Sequence, residues 1–171
     1  MTELDDVADG QDHSLDPRVI PMQRVTGGLF TAAVAIGTAI ALGIVLTVGD
    51  DIPGWMRVLL PAAWLALAVF FAGLAYAWPP LHYRHTSYRV DDLGIEIRRG
   101  VYWRVVINVP RSRVQHIDVQ SGPIDRRYGL GTLVVYTAGT DHAKVELPGL
   151  EHGRALRIRE HLLPSGADDA V

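Results

Sequence analysis

Two uninterrupted apolar stretches constrain this chain more than any other feature. Gly27 to Val48 (GGLFTAAVAIGTAIALGIVLTV) and Val58 to Trp78 (VLLPAAWLALAVFFAGLAYAW) contain no Asp, Glu, Lys, Arg or His. At about 1.5 Å per residue, each makes a helix of roughly 30 Å, the thickness of a bilayer's hydrocarbon core. One such helix could be the buried core of a soluble protein; two in succession point to lipid. A cleavable signal peptide does not fit. The leader is long and acidic, the apolar run exceeds an ordinary signal core, and a second run follows at once.

The connection Gly49–Arg57 (GDDIPGWMR) is short, which predicts an antiparallel membrane hairpin over residues 21–80 with spans at about 27–48 and 58–78. Trp55 and Trp78 bracket the second span, as interfacial aromatic anchors do. Pro61 is expected in the first turn of that span, where a missing N–H is tolerated. Small residues recur at every fourth position (Ala33, Gly37 and Ala41; Ala35, Ala39 and Gly43), a spacing that lets helices approach closely and that alanine-rich spans also produce by chance. With no ionisable residue inside either span, a proton relay or ion path has no candidate.

Orientation follows from the flanking arginines. The connection holds only Arg57, whereas Arg18 and Arg24 precede the hairpin and Arg84, Arg89, Arg98 and Arg99 follow it. The positive-inside rule therefore places both termini in the cytoplasm, which for a bacterial chain means the inner membrane. Residues 1–20 carry many acids and few apolar groups and are expected to be disordered, as is the tail 164–171.

After Pro79-Pro80 the pattern alternates. Ile95, Ile97 and Val101 fall on one face, then Val105, Ile107 and Val109, and later Ala143, Val145 and Leu147, with polar residues between them. Period two over short runs predicts half-buried antiparallel strands. Asp91-Asp92-Leu93-Gly94 and Gly100 mark turns, and Leu133–Tyr136, apolar on both faces, suits a central strand. Ala155, Ile158 and Leu162 share one face of a helix expected over 151–163, after Pro148-Gly149. The expectation is a small, mainly-β domain at 82–163, of about six strands and one C-terminal helix.

The run YRVDDLGIEIRRGVYWRVVINVPRSRVQHIDVQSGPIDRRYGLGTLVVYTAG, with VELPGLEHGRALRIREHLL after it, resembles the bacterial pleckstrin-homology-like (PH-like) domain of YdbS-like membrane proteins. In that family a two-helix membrane hairpin precedes the domain. The resemblance covers about residues 20–163 and implies a split β-barrel closed by the C-terminal helix. It implies no catalytic activity and no defined ligand. Some members occur beside a longer relative with repeated domains of this type, so the implied partner is such a protein or a second copy.

The stretch SGPIDRRYGLGTLVVYTAG sets paired arginines beside Gly-Leu-Gly. A dinucleotide fingerprint needs a third glycine and a following helix. Here Thr132-Leu133-Val134 follow and begin a strand, so Gly122, Pro123, Gly129 and Gly131 are read as shaping a turn, the last two through backbone angles that other residues resist.

Candidate contacts for anionic lipid or for a partner are Arg98, Arg99, Arg111, Arg113, Arg126 and Arg127, with Arg154 and Arg157 further along. Against this, Arg126-Arg127 could be a solvated turn paired with Asp125. His82, Tyr83, Arg84 and His85 read as an interfacial collar rather than a metal site, since no Cys, Asp or Glu completes a ligand set. Eukaryotic lipid-binding relatives place basic residues around the first hairpin loop. The loop taken as its counterpart, Asp91–Gly94, is acidic, so specific phosphoinositide recognition is not expected.

With a net charge of −3 and no cysteine, the chain gives no reason to expect nucleic acid, a disulfide or a thiolate metal site. No nucleophile–base pattern is present, and neither an enzyme nor a cofactor is expected.

Overall fold

The structure, a computed structural model, describes residues 7–138 and 144–163. These divide into two units, one of residues 7–22 with 80–163 and the other of Gln23–Pro79.

The membrane unit is carried by α1 (Val19–Val48) and α2 (Gly54–Arg84). Both are long and apolar enough to cross a bilayer, and no residue of their apolar windows is buried within the chain. Bare apolar surface on that scale needs lipid around it. The expected spans lie inside these helices, which run further: α1 begins before the apolar stretch, and α2 continues through Pro79 and Pro80 to Arg84. Pro61 is not in a first turn. The Pro53 carbonyl accepts from the Met56 amide at 2.9 Å, which starts α2 well ahead of Pro61.

Polar contacts join the two helices. Trp64 Nε1 donates to Thr38 Oγ1 at 3.0 Å. Arg24 Nε donates to the Tyr76 carbonyl at 3.2 Å, with the guanidinium 3.9 Å from the ring centroid. Of the expected small-residue positions, Ala35 and Ala39 are half-buried, whereas Ala33, Gly37, Ala41 and Gly43 are exposed and a Cβ added at either glycine would meet open space.

The other unit is two antiparallel sheets closed by a helix. The first has the order β1 (Asp12–Ser14), β2 (Thr86–Asp91), β3 (Gly94–Arg99), β4 (Val105–Pro110). The second is β5 (Val114–Gln120), β6 (Leu130–Thr137), β7 (Lys144–Glu151). Helix α3 (Pro123–Tyr128) joins β5 to β6, and α4 (His152–Leu162) ends the domain.

Alternation works as expected where side chains meet the core. Ile95, Ile97, Ile107, Val109, Val145 and Leu147 are buried, and Leu133, Val134 and Val135 are fully enclosed in the middle strand of the second sheet. Ala155, Ile158 and Leu162 form the buried face of α4. Tyr88 fills the centre of the core, and burial pushes its phenol pKa up.

Several expectations fail locally. Val101 lies beyond the end of β3, and Val105 is exposed at the start of β4, so neither joins the core. Pro148 and Gly149 do precede the last helix, and they lie within β7. That is an edge strand paired only with β6, where a residue without an N–H is tolerated. Ala143 and the tail 164–171 fall outside the described residues.

The largest correction concerns the N-terminus. Residues 7–20 are not disordered. Asp12, His13 and Ser14 pair with Arg89, Tyr88 and Ser87, so β1 completes the first sheet. Val7, Leu15 and Val19 are among the most deeply buried side chains in the domain. The Asp16 amide donates to the Gly149 carbonyl at 2.9 Å, binding this segment to β7 as well. Bonds from Arg18 to Asp16 hold that carboxyl below the usual carboxylate range. Asp9, Asp12 and Asp16 are the polar rim of a segment whose apolar residues Val7, Leu15 and Val19 enter the core. The connection between the first two strands of the sheet is therefore the membrane hairpin itself.

Candidate functional site

The structure sorts the candidate arginines into two kinds. Arg98 is structural. Its Nη1 donates to Asp12 Oδ2 at 2.7 Å and its Nε to Glu96 Oε1 at 2.5 Å, and Asp12 also takes Arg89 Nε at 3.1 Å. Asp12 thus ties β1 to its neighbour β2 and, beyond it, to β3, and Glu96 first and then Asp12 raise the Arg98 pKa further. Arg111 Nη2 donates to the Leu163 carbonyl at 3.0 Å, satisfying an otherwise orphaned group at the end of α4.

The second kind faces outward. Arg113 is exposed in the single 3-10 turn after β4. Arg126 and Arg127 are exposed on α3. Asp125 is not their partner, because its carboxylate accepts from the Gly122 amide at 2.9 Å. Pro123 follows Gly122 as the first residue of α3, and Gly129 ends the helix in a left-handed conformation at φ 67°.

Gly131 corrects the sequence reading. It does not have the left-handed backbone expected of it. A Cβ there would instead crowd Ser121 Oγ at 3.3 Å and His152 Nδ1 at 3.4 Å, so close approach is what calls for a small residue. Neither glycine opens onto a phosphate cradle, since Leu130 and Gly131 already belong to β6.

The collar after the second span is also divided. Tyr83 is half-buried and packs against the domain core, and the His82 carbonyl accepts from Thr86 Oγ1 at 3.0 Å. Trp55 and Trp78 stay exposed on α2. No group of three His, Asp or Glu among the described residues could hold a metal.

Sequence reasoning missed the feature most out of place for a water-facing domain. The β3–β4 connection, Gly100-Val101-Tyr102-Trp103-Arg104, presents Tyr102 at 81% and Trp103 at 86% exposure. Val105 and Val106 continue the exposed apolar surface. Gly100 makes the loop possible. It has φ 124°, and a side chain there would collide with the Trp103 carbonyl.

Beside this tip is a groove of about 360 Å³, lined chiefly by Arg84, His85, Arg98, Arg99 and Arg104, with no carboxylate in its wall. Among the described residues the side chains of Arg84 and Arg104 have no hydrogen-bonding or ionic partner. Arg99 reaches only the Glu146 carbonyl, at 3.5 Å. Thr86 and Arg99 are paired across β2 and β3, so the tip lies at the end of the sheet where the chain arrives from α2. An aromatic pair bracketed by arginines in a turn, where polar residues belong, was the available signal.

The expected comparison with the first loop of lipid-binding domains must also be redrawn. Asp91–Gly94 is the second connection of the sheet. Its Asp91 carboxylate is spent on the Leu93 and Gly94 amides, at 2.9 and 3.0 Å.

Comparison with known proteins agrees with this architecture. The family model for the bacterial PH domain matches residues 28–165, so β1 and the buried Val7, Leu15 and Val19 lie ahead of the matched stretch. The UPF0699 transmembrane protein YdbS of Bacillus subtilis (strain 168) is 31% identical over 121 residues, covering 70% of this chain and 72% of that one. No solved structure matches significantly. Two helices long and apolar enough for a bilayer, the paired antiparallel sheets with their closing helix, and a match over most of the chain place this membrane protein in the bacterial PH domain family.

Proposed function

We propose that the chain is a non-enzymatic interaction module at the cytoplasmic face of the bacterial inner membrane, where its PH-like domain binds a partner protein or another copy of itself. The observation that carries this reading is the entry of both arms of the hairpin into one domain. Residues 7–22 and 80–163 share a core, so the chain joins this domain to the hairpin through two connections rather than one. A domain joined twice to a membrane anchor suits the docking of a partner at the membrane. Its cytoplasmic side follows from the arginines that flank the hairpin. The outer edge of β4 carries no further strand among the described residues, which leaves backbone groups open to strand addition.

The first partners to seek are a second copy and a longer PH-like membrane protein. Cross-linking in intact membranes followed by mass identification is the test. A reproducible cross-linked species is expected, and a strictly solitary monomer would overturn the reading. The alternative, a sensor of anionic lipid using Arg113, Arg126 and Arg127, is favoured only by the exposure of those side chains.

A further inference from the structure

We infer that the β3–β4 tip is a third membrane contact, in which Tyr102 and Trp103 enter the interface of an anionic leaflet and the neighbouring arginines take lipid phosphates. This goes beyond the partner-binding reading and does not depend on it. The chemistry is that of an interfacial anchor. Tyrosine and tryptophan present an apolar ring with a polar edge and favour the headgroup level of a bilayer over either bulk phase. The two rings, with Val105 and Val106, form an exposed apolar patch.

Charge and position favour lipid as the occupant. The groove beside the rings is walled by Arg84, Arg99 and Arg104 without a carboxylate, which suits phosphate oxygens. Thr86, the partner of Arg99 in the sheet, comes two residues after the end of α2, so the tip occupies the domain end joined directly to a membrane helix. The opposite end of β3 makes an internal contrast. Its turn also carries an exposed apolar residue, Leu93 at 79%, but no aromatic pair; it stands beside Asp91 and Asp92, and the side chain of neighbouring Arg111 is taken by the Leu163 carbonyl.

The chain has no cysteine, so single labels are clean. In the full-length protein, Tyr102→Cys and, separately, Leu93→Cys carry an environment-sensitive fluorophore. Each is reconstituted in vesicles of phosphatidylglycerol and phosphatidylethanolamine containing nitroxide-labelled lipid. Quenching at position 102 is expected to exceed that at 93 several-fold. Replacing Arg99 or Arg104 by Gln should lower the ratio of seated to free tip about fivefold per arginine, an effect that weakens with salt. Vesicles of phosphatidylcholine alone should seat the tip less well. Equal, weak quenching at both positions would overturn the proposal. So would a label at 102 that is dehydrated but unquenched by lipid nitroxide, because the tip would then be covered by protein.

Discussion

Leu15→Ala is expected to destabilise the β domain by about 2–5 kcal/mol, the range for truncating a buried leucine. Residue 15 precedes both membrane helices, yet it is only 2% exposed and belongs to the same cluster as Ile97, Leu147 and Ile158. Its Cδ1 lies within 3.6 Å of where a Gly149 Cβ would stand, against β7, so little nearby structure can collapse into the space it leaves. Chemical unfolding of the full chain in detergent, followed by near-UV dichroism, measures the loss. A change within about 0.5 kcal/mol, typical of surface substitutions, would mean that the N-terminal segment is not part of the core. For the same reason a fragment beginning at residue 82 loses β1 and Val7, Leu15 and Val19, and is a poor stand-in for the domain.

Gly100→Ala should have the next largest effect, and a more local one. A non-glycine residue held at φ 124° costs about 1–3 kcal/mol. The added methyl group would also overlap the Trp103 carbonyl, so the loop has to open. Amide exchange across residues 99–105 is expected to accelerate, while β5, β6 and β7 keep their protection. Unchanged exchange at the tip would contradict the loop geometry.

The parts legible in the sequence were those with enough length for a period to show. Two runs of about twenty apolar residues allow one reading in lipid, and Ile95, Ile97, Val145 and Leu147 alternate over enough positions to fix a face. The N-terminal segment was not legible for the converse reason. A strand of three residues contains less than two full repeats of any pattern, and Val7, Leu15 and Val19 are too far apart to look like a stripe. Their burial is decided by β2 and β7, which are remote in sequence.

The candidate site shows the same division. That Gly129-Leu130-Gly131 lacks the dinucleotide fingerprint followed from spacing, whereas the place of Gly131 in β6, close against Ser121 and His152, did not. The separation of Arg98 and Arg111 from Arg126 and Arg127 did not. Asp12 and Leu163, the partners that take the first two out of play, are 86 and 52 positions away. Gly100 marked a turn, but the alternation does not give the lengths of its flanking strands; only the end of β3 at Arg99 and the start of β4 at Val105 put Tyr102 and Trp103 on a tip.

The claim on which the rest depends is that chain from before the hairpin and chain from after it form one sheet. Ser14 faces Ser87 across β1 and β2. Paired residues in antiparallel strands lie about 4.5–5.5 Å apart at Cα, within reach of a disulfide. Ser14→Cys with Ser87→Cys, oxidised in native membranes and then cut by protease in the connection 49–57, tests the pairing directly. The account predicts that the two pieces stay joined until a reductant is added, and that neither single-cysteine variant behaves in this way. Pieces that separate without reductant, whatever the oxidant, would contradict it.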